Sequence, residues 1–128
     1  MTTTAPALQV LAVAAGASVG AVLRWLAGLA LNGLWMGFPL GTLFVNCAGG
    51  LAIGFLVVWL EGGAAEWLRL LLLTGLLGGF TTFSAFSLDA MTLIERGDYA
   101  TAALYVVASV VLSIAAVAIG LAVIRSFS

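Results

Sequence analysis

Histidine and lysine are absent from this sequence, cysteine occurs once, and charged residues make up only 7% of the 128 positions. Each scarcity removes a class of function. With no histidine, and Cys47 alone inside an apolar run, there is no ordinary zinc site, no disulfide and no Cys/His nucleophile pair. The four arginines are scattered against five acidic residues, for a net charge of -1, so no basic patch exists to bind nucleic acid. Soluble domains carry roughly 25% charged residues, and nothing here would solvate a globule of 13.0 kDa. What is abundant is hydrophobicity: 64% of residues, with a mean hydropathy of +1.28. The bilayer is the solvent that suits such a chain.

A helix crosses a bilayer with about 20 mainly apolar residues. Four stretches qualify, near 7–31, 40–60, 67–91 and 99–124, joined by short connections that hold most turn and charged residues. This layout predicts one four-helix transmembrane domain over 1–128. Ala12-Val13-Ala14 has the small residues of a signal cleavage site, but Met1 to Val10 has no basic residue and the apolar run is long enough to span. It is read as the first span. Trp25, Trp35, Trp59 and Trp67 fall near span ends, where aromatic anchors meet the headgroups. Arg69 and Arg125 fall on one side, Arg96 and a snorkelling Arg24 on the other. This balance gives no positive-inside bias. Either other signals fix the orientation, or the chain inserts both ways and an antiparallel homodimer becomes available.

Polar groups are costly in a bilayer, so their placement is informative. On the first span Gly16, Gly20, Arg24 and Gly28 recur every four residues, a spacing that holds them near one face. The glycines are explained by close helix packing. Arg24 requires water, a carbonyl or an anion, and is read either as an anion attractor or as a snorkelling side chain. The second span repeats the spacing with Thr42, Asn46, Gly50 and Gly54. The Asn46 amide serves either an interhelical hydrogen bond or a pathway. The fourth span aligns Thr101, Tyr105, Ser109 and Ser113, hydroxyls that could line a wet track.

The third span carries the strongest signal, Gly75-Leu-Leu-Gly78-Gly79-Phe80-Thr81-Thr82-Phe83-Ser84-Ala85-Phe86-Ser87. Paired glycines followed by two β-branched threonines make a weak helix, and unwound backbone is tolerated at that depth only inside protein or beside a cavity. Carbonyls freed this way coordinate cations in transporters. Phe83 and Phe86, three apart, are expected on one face of the helix that follows. They either pack in the core or present positive ring edges to an anion. No carboxylate lies deep in a span, Asp89 near the end of the third being the nearest. That argues against proton-coupled cation export and for an anion pathway.

With these residues in view, the sequence resembles the Fluc (CrcB) family of bacterial fluoride channels over essentially its whole length. The resemblance is carried by Gly20-Ala21-Val22-Leu23-Arg24, by Gly41-Thr42-Leu43-Phe44-Val45-Asn46 with Gly49 and Gly50, and most specifically by Gly78-Gly79-Phe80-Thr81-Thr82-Phe83-Ser84-Ala85-Phe86. It implies an all-α membrane protein with four transmembrane helices per subunit and a third helix broken near its middle. The family assembles as an antiparallel dual-topology homodimer in the bacterial cell (inner) membrane, passing fluoride passively and rejecting chloride. A structural Na+ at the dimer centre would rest on the main-chain carbonyls of Gly78 and Thr81. Phe83, Phe86 and Asn46 match the pore residues, Arg24 the vestibule arginine, and Thr42, Tyr105, Ser109 and Ser113 the polar track. Ala85 stands where members often carry threonine, and Leu51 where an aromatic is common.

Two other classes compete with this reading. A small exporter of lipophilic cations wants an embedded carboxylate. A scaffold subunit would explain the glycine faces but not Asn46, Arg24 or the weak third helix. No enzyme is expected, since Cys47, Ser84 and Asp89 lack a partner base and no nucleotide or metal motif occurs.

Overall fold

A computed structural model of the protein describes residues 5–127. Those residues form helices and turns, with no strand among them. Helix α1 runs over Pro6–Leu31 and α2 over Leu40–Trp59, the latter ending in a 3-10 turn at Leu60–Gly62. The third span is composite: α3 (Glu66–Arg69), a π-helical stretch (Leu70–Leu77), α4 (Gly78–Phe80) and, after a break, α5 (Ser84–Glu95). Helix α6 covers Tyr99–Ser126. Pro6 opens α1 where its missing N–H costs nothing. The reversals between spans turn at Gly37, Gly63 and Gly97, all at positive φ. Four spans are long and apolar enough to cross a membrane: Pro6–Leu31, Leu40–Gly62, Glu66–Glu95 and Tyr99–Ser126.

The third helix does not unwind at its paired glycines. Gly78 and Gly79 remain helical, and the chain turns extended at Thr81 (φ -87°, ψ 159°). The glycines have another task. A Cβ on Gly79 would lie 2.5 Å from the Ala17 carbonyl oxygen, so this position permits α1 to approach backbone to backbone. The helix stops instead where Thr81 Oγ1 donates back to the Leu77 carbonyl at 2.8 Å, the local competition that threonine offers a helix.

Two glycine-faced pairs hold the fold together. Helix α1 lies along the π-helical stretch and α4, and α2 lies along α6. At the first seam a Cβ on Gly16 or Gly20 would collide with the carbonyl oxygens of Leu71 and Leu76. At the second, Gly54 and Gly120 face the carbonyls of Val117 and Leu51 in the same way. Lipid gives no hydrophobic drive for helices to associate, so small residues that let backbones touch supply the contact. A conventional core is correspondingly small. Phe38, Ala90, Leu93, Ala102 and Tyr105 cluster where α5 and α6 meet the loop before α2. Elsewhere leucine, valine and isoleucine side chains stand exposed along the helices, as lipid contact requires.

Candidate ion pathway

The break in the third span is held by side chains from α1 and α2. Asn46 meets the backbone of Thr82 twice: its Nδ2 donates to the Thr82 carbonyl at 3.0 Å, and its Oδ1 accepts the Thr82 N–H at 2.9 Å. From α1, Arg24 Nε donates to the Gly79 carbonyl at 3.1 Å. The Ala85 N–H, at the start of α5, donates to Thr82 Oγ1 at 3.1 Å. These partners redirect the helical ladder. In a continuous helix the Thr82 N–H would serve the Gly78 carbonyl and the Ala85 N–H would serve that of Thr81. Both donors point elsewhere here, which leaves the Gly78 and Thr81 carbonyls without the partners a helix would give them.

Beside the break lies an open cavity of about 620 Å³. It gathers most of the candidate residues: Asn46 from α2, Gly78, Thr81, Phe83 and Phe86 from the third span, and Ser109 and Ser113 from α6. Ser109 is 5% exposed, and its hydroxyl has no hydrogen-bond partner among the described residues. A buried hydroxyl with nothing to bond is costly, so this one calls for a ligand or water in the cavity. Ser113 Oγ is 3.9 Å from Cys47 Sγ. Phe83 is the residue that caps α5 rather than one within it (φ -93°, ψ -36°), its carbonyl accepts the Ser87 N–H at 2.9 Å, and the residue is 78% exposed. Its ring centroid is 5.8 Å from that of Phe86, and Phe86 continues the aromatic line to Tyr105 at 5.3 Å.

Arg24 and Thr42 face a second cavity, of about 550 Å³, whose wall also includes Thr82, Ala85 and Asp89. Asp89 is the residue that the sequence did not place on the pathway. Its Oδ2 accepts hydrogen bonds from Thr42 Oγ1 at 2.8 Å and from Tyr105 OH at 3.0 Å. Two track hydroxyls are therefore aimed at a carboxylate within the third span. The three-residue spacing from Phe86 to Asp89 was a signal available for it, because positions three apart are neighbours on a helix. Asp89, read from the sequence as the carboxylate nearest the spans' interior, is thus bonded to two residues of the track. Thr101, by contrast, enters neither cavity.

The donor set suits a small anion: an amide, hydroxyls, an arginine and aromatic edges, with a carboxylate at one end. No group of histidine, cysteine, aspartate and glutamate able to hold a metal occurs among the described residues. The two carbonyls released by the break are hard oxygen donors of a kind that fits an alkali cation.

Known proteins are similar to this sequence along nearly its full length. A channel named "Fluoride-specific ion channel FluC" in Methylobacterium nodulans is 52% identical over 122 residues, covering 94% of this chain and 98% of its own. A protein of the same name in Paracoccus denitrificans is 55% identical over 115 residues, 90% of this chain and 93% of its own. A third, in Rhizobium meliloti, is 50% identical over 126 residues, covering 92% and 97% respectively. The family model described as CrcB-like protein, Camphor Resistance (CrcB), matches residues 11–121. With four apolar spans and these relatives, the chain is a multi-pass membrane protein of the CrcB-like family.

Proposed function

We propose that this protein is a fluoride channel. It passes F- down its electrochemical gradient across the inner membrane of a bacterial cell and so lowers cytoplasmic fluoride. The observation that carries this reading is the unpartnered, buried Ser109 hydroxyl facing the same cavity as Asn46, Phe83 and Phe86. The names of the relatives give the anion its identity.

Fluoride is small and strongly hydrated, so the pathway must replace water step by step while holding the ion weakly enough to release it. Arg24 offsets the negative charge of Asp89 in the outer cavity and attracts the anion there. Deeper in, Phe83 and Phe86 offer positive ring edges, and Ser109 and Ser113 offer hydroxyl protons. The Asn46 amide is already engaged by Thr82, so its part is to hold the break open beside the ion. Thr42 and Tyr105 give their protons to Asp89, and the anion competes with that carboxylate for them.

The functional unit in this reading is an antiparallel homodimer. One subunit leaves the 620 Å³ cavity open on one side and Phe83 exposed in the middle of the membrane, surfaces that a second copy would cover. The Gly78 and Thr81 carbonyls of two subunits would then meet on the two-fold axis. There they would hold one Na+, whose chemistry is structural: it pairs with carbonyl oxygens that the broken helix leaves over.

Fluoride release from liposomes carrying the purified protein tests the reading, with valinomycin balancing charge and chloride as control. Rapid fluoride loss with chloride retained is the expected result. Retention of fluoride by vesicles containing folded dimer overturns it and returns the scaffold reading.

A further inference from the structure

Asp89 borders more than one cavity. Besides the one it shares with Arg24, a smaller cavity of about 250 Å³ lies at the same end of the molecule, under the loop that joins α1 to α2. Only Asn32 and Asp89 belong to both, so these two side chains form the partition between them. Phe38 and Leu93, almost wholly buried, wall the smaller cavity, and the exposed Arg96 also lines it.

The donors in this cavity can be assigned one by one. Thr92 Oγ1 donates its proton to the Leu88 carbonyl at 2.9 Å, so it offers only lone pairs. Asn32 Oδ1 accepts the Gly41 N–H at 2.7 Å, which orients the amide and leaves its NH2 as the donating end. The Arg96 guanidinium takes part in no side-chain hydrogen bond or salt bridge among the described residues. Two donor groups therefore sit beside Asp89 on a side that Arg24 does not reach. A carboxylate alone would repel an approaching anion, and each cavity that touches this one contains a single arginine.

We propose that the small cavity is a second entrance for the permeating anion, with Arg96 as its collector and the Asn32 amide as the first donor inside. Anions drawn to Arg96 pass the Asn32–Asp89 partition and join the Arg24 cavity at Thr42, so they enter it from a second mouth. The inference rests on the fluoride-channel reading above and adds a recruitment site to it.

The test uses full-length protein in liposomes, with Cys47→Ala to remove the native thiol. That background must first be shown to conduct like the native chain. Arg96→Cys is then compared before and after reaction with membrane-impermeant thiol reagents carrying a positive or a negative charge. At about 10 mM salt the Debye length is roughly 30 Å. There, Arg96→Cys is expected to slow initial fluoride release about two- to threefold, the scale expected of a nearby unit charge in water. The cationic adduct restores the rate, the anionic adduct lowers it further, and about 1 M salt, where the Debye length is roughly 3 Å, removes the differences. Arg96→Lys keeps the native rate, and Arg69→Gln, a charge loss outside both cavities, changes little. Equal rates for Arg96→Cys and both adducts at low salt overturn the second entrance while leaving the channel intact. A native chain that passes no fluoride overturns the channel reading itself.

Discussion

Asn46 commits both halves of its amide to the backbone of Thr82, and this makes it more exacting than a pore donor alone would be. Asn46→Ala leaves an N–H and a C=O unpaired at membrane depth, each costing about 1–3 kcal/mol. The expected result is a lower thermal midpoint in detergent together with lost flux. Asn46→Asp keeps the acceptor for the Thr82 N–H but sets a carboxylate against the Thr82 carbonyl. It should abolish fluoride release while the dimer still elutes intact. Phe83→Ile separates the two roles more cleanly, because a residue 78% exposed in the subunit contributes little to its packing. Flux should vanish with stability of the subunit unchanged, and normal flux in both variants would sink the pore assignment. Around Asp89 the useful measurement is a double-mutant cycle. Tyr105→Phe removes one hydroxyl from a fully buried ring that packs on Phe38 and Phe86. It should cost about 1.5–3 kcal/mol in the native background, the range for a hydrogen bond to a charged group, and far less once Asp89→Leu has removed the acceptor. Equal costs in both backgrounds would show that the bond contributes nothing.

At the scale of elements, the fold depends on backbone meeting backbone. Helix α1 reaches the third span through Gly16 and Gly20, and a methyl group at Gly20 would strike the Leu76 carbonyl and crowd the Phe80 N–H at 2.7 Å. Neither neighbour is a flexible side chain that could move aside. Because α4 leads directly into the break, displacing it would also shift the Gly79 carbonyl that Arg24 holds. Gly20→Ala should therefore both destabilise the subunit, by about 1–3 kcal/mol as overpacking does, and lose flux. Gly33→Ala, with open space around its Cβ position, is the matched control and should behave as native in both assays. A native-like Gly20→Ala would mean that the seam is looser than its geometry.

For the whole molecule the balance of arginines is the feature that matters, because it removes the usual signal for orientation. Adding three lysines after the C-terminus should drive insertion one way, since charge near span ends sets topology. If function needs two opposed copies, that variant alone conducts nothing. A variant with lysines added to the Gly33–Gly37 loop, biased the other way, also fails alone, and co-expression of the two restores fluoride release. Conduction by either biased variant on its own would exclude an antiparallel pair as the functional unit.

How much of this was legible in the sequence follows from the physics of each part. Span number and placement are properties of local composition, since about 20 apolar residues suffice to cross a bilayer whatever surrounds them. The weakness of the third helix was local too, visible in Gly78-Gly79-Phe80-Thr81-Thr82. Its point of interruption was not: Gly78 and Gly79 stay helical, Gly79 lying close against Ala17 of α1, and the chain turns extended at Thr81 instead. Nor could spacing reveal that Asn46 and Arg24 reach Thr82 and Gly79 from two other helices, or that the Asn46 and Thr82 side chains take the N–H groups that would otherwise serve the Gly78 and Thr81 carbonyls. Asp89 is the sharpest case. In sequence it is one carboxylate near a span end, and its engagement of Thr42 and Tyr105 exists only because α2, α5 and α6 meet there. Composition along the chain decided the solvent and the number of crossings. Contacts between residues far apart in sequence decided which polar groups face one another, and hence where an anion could pass.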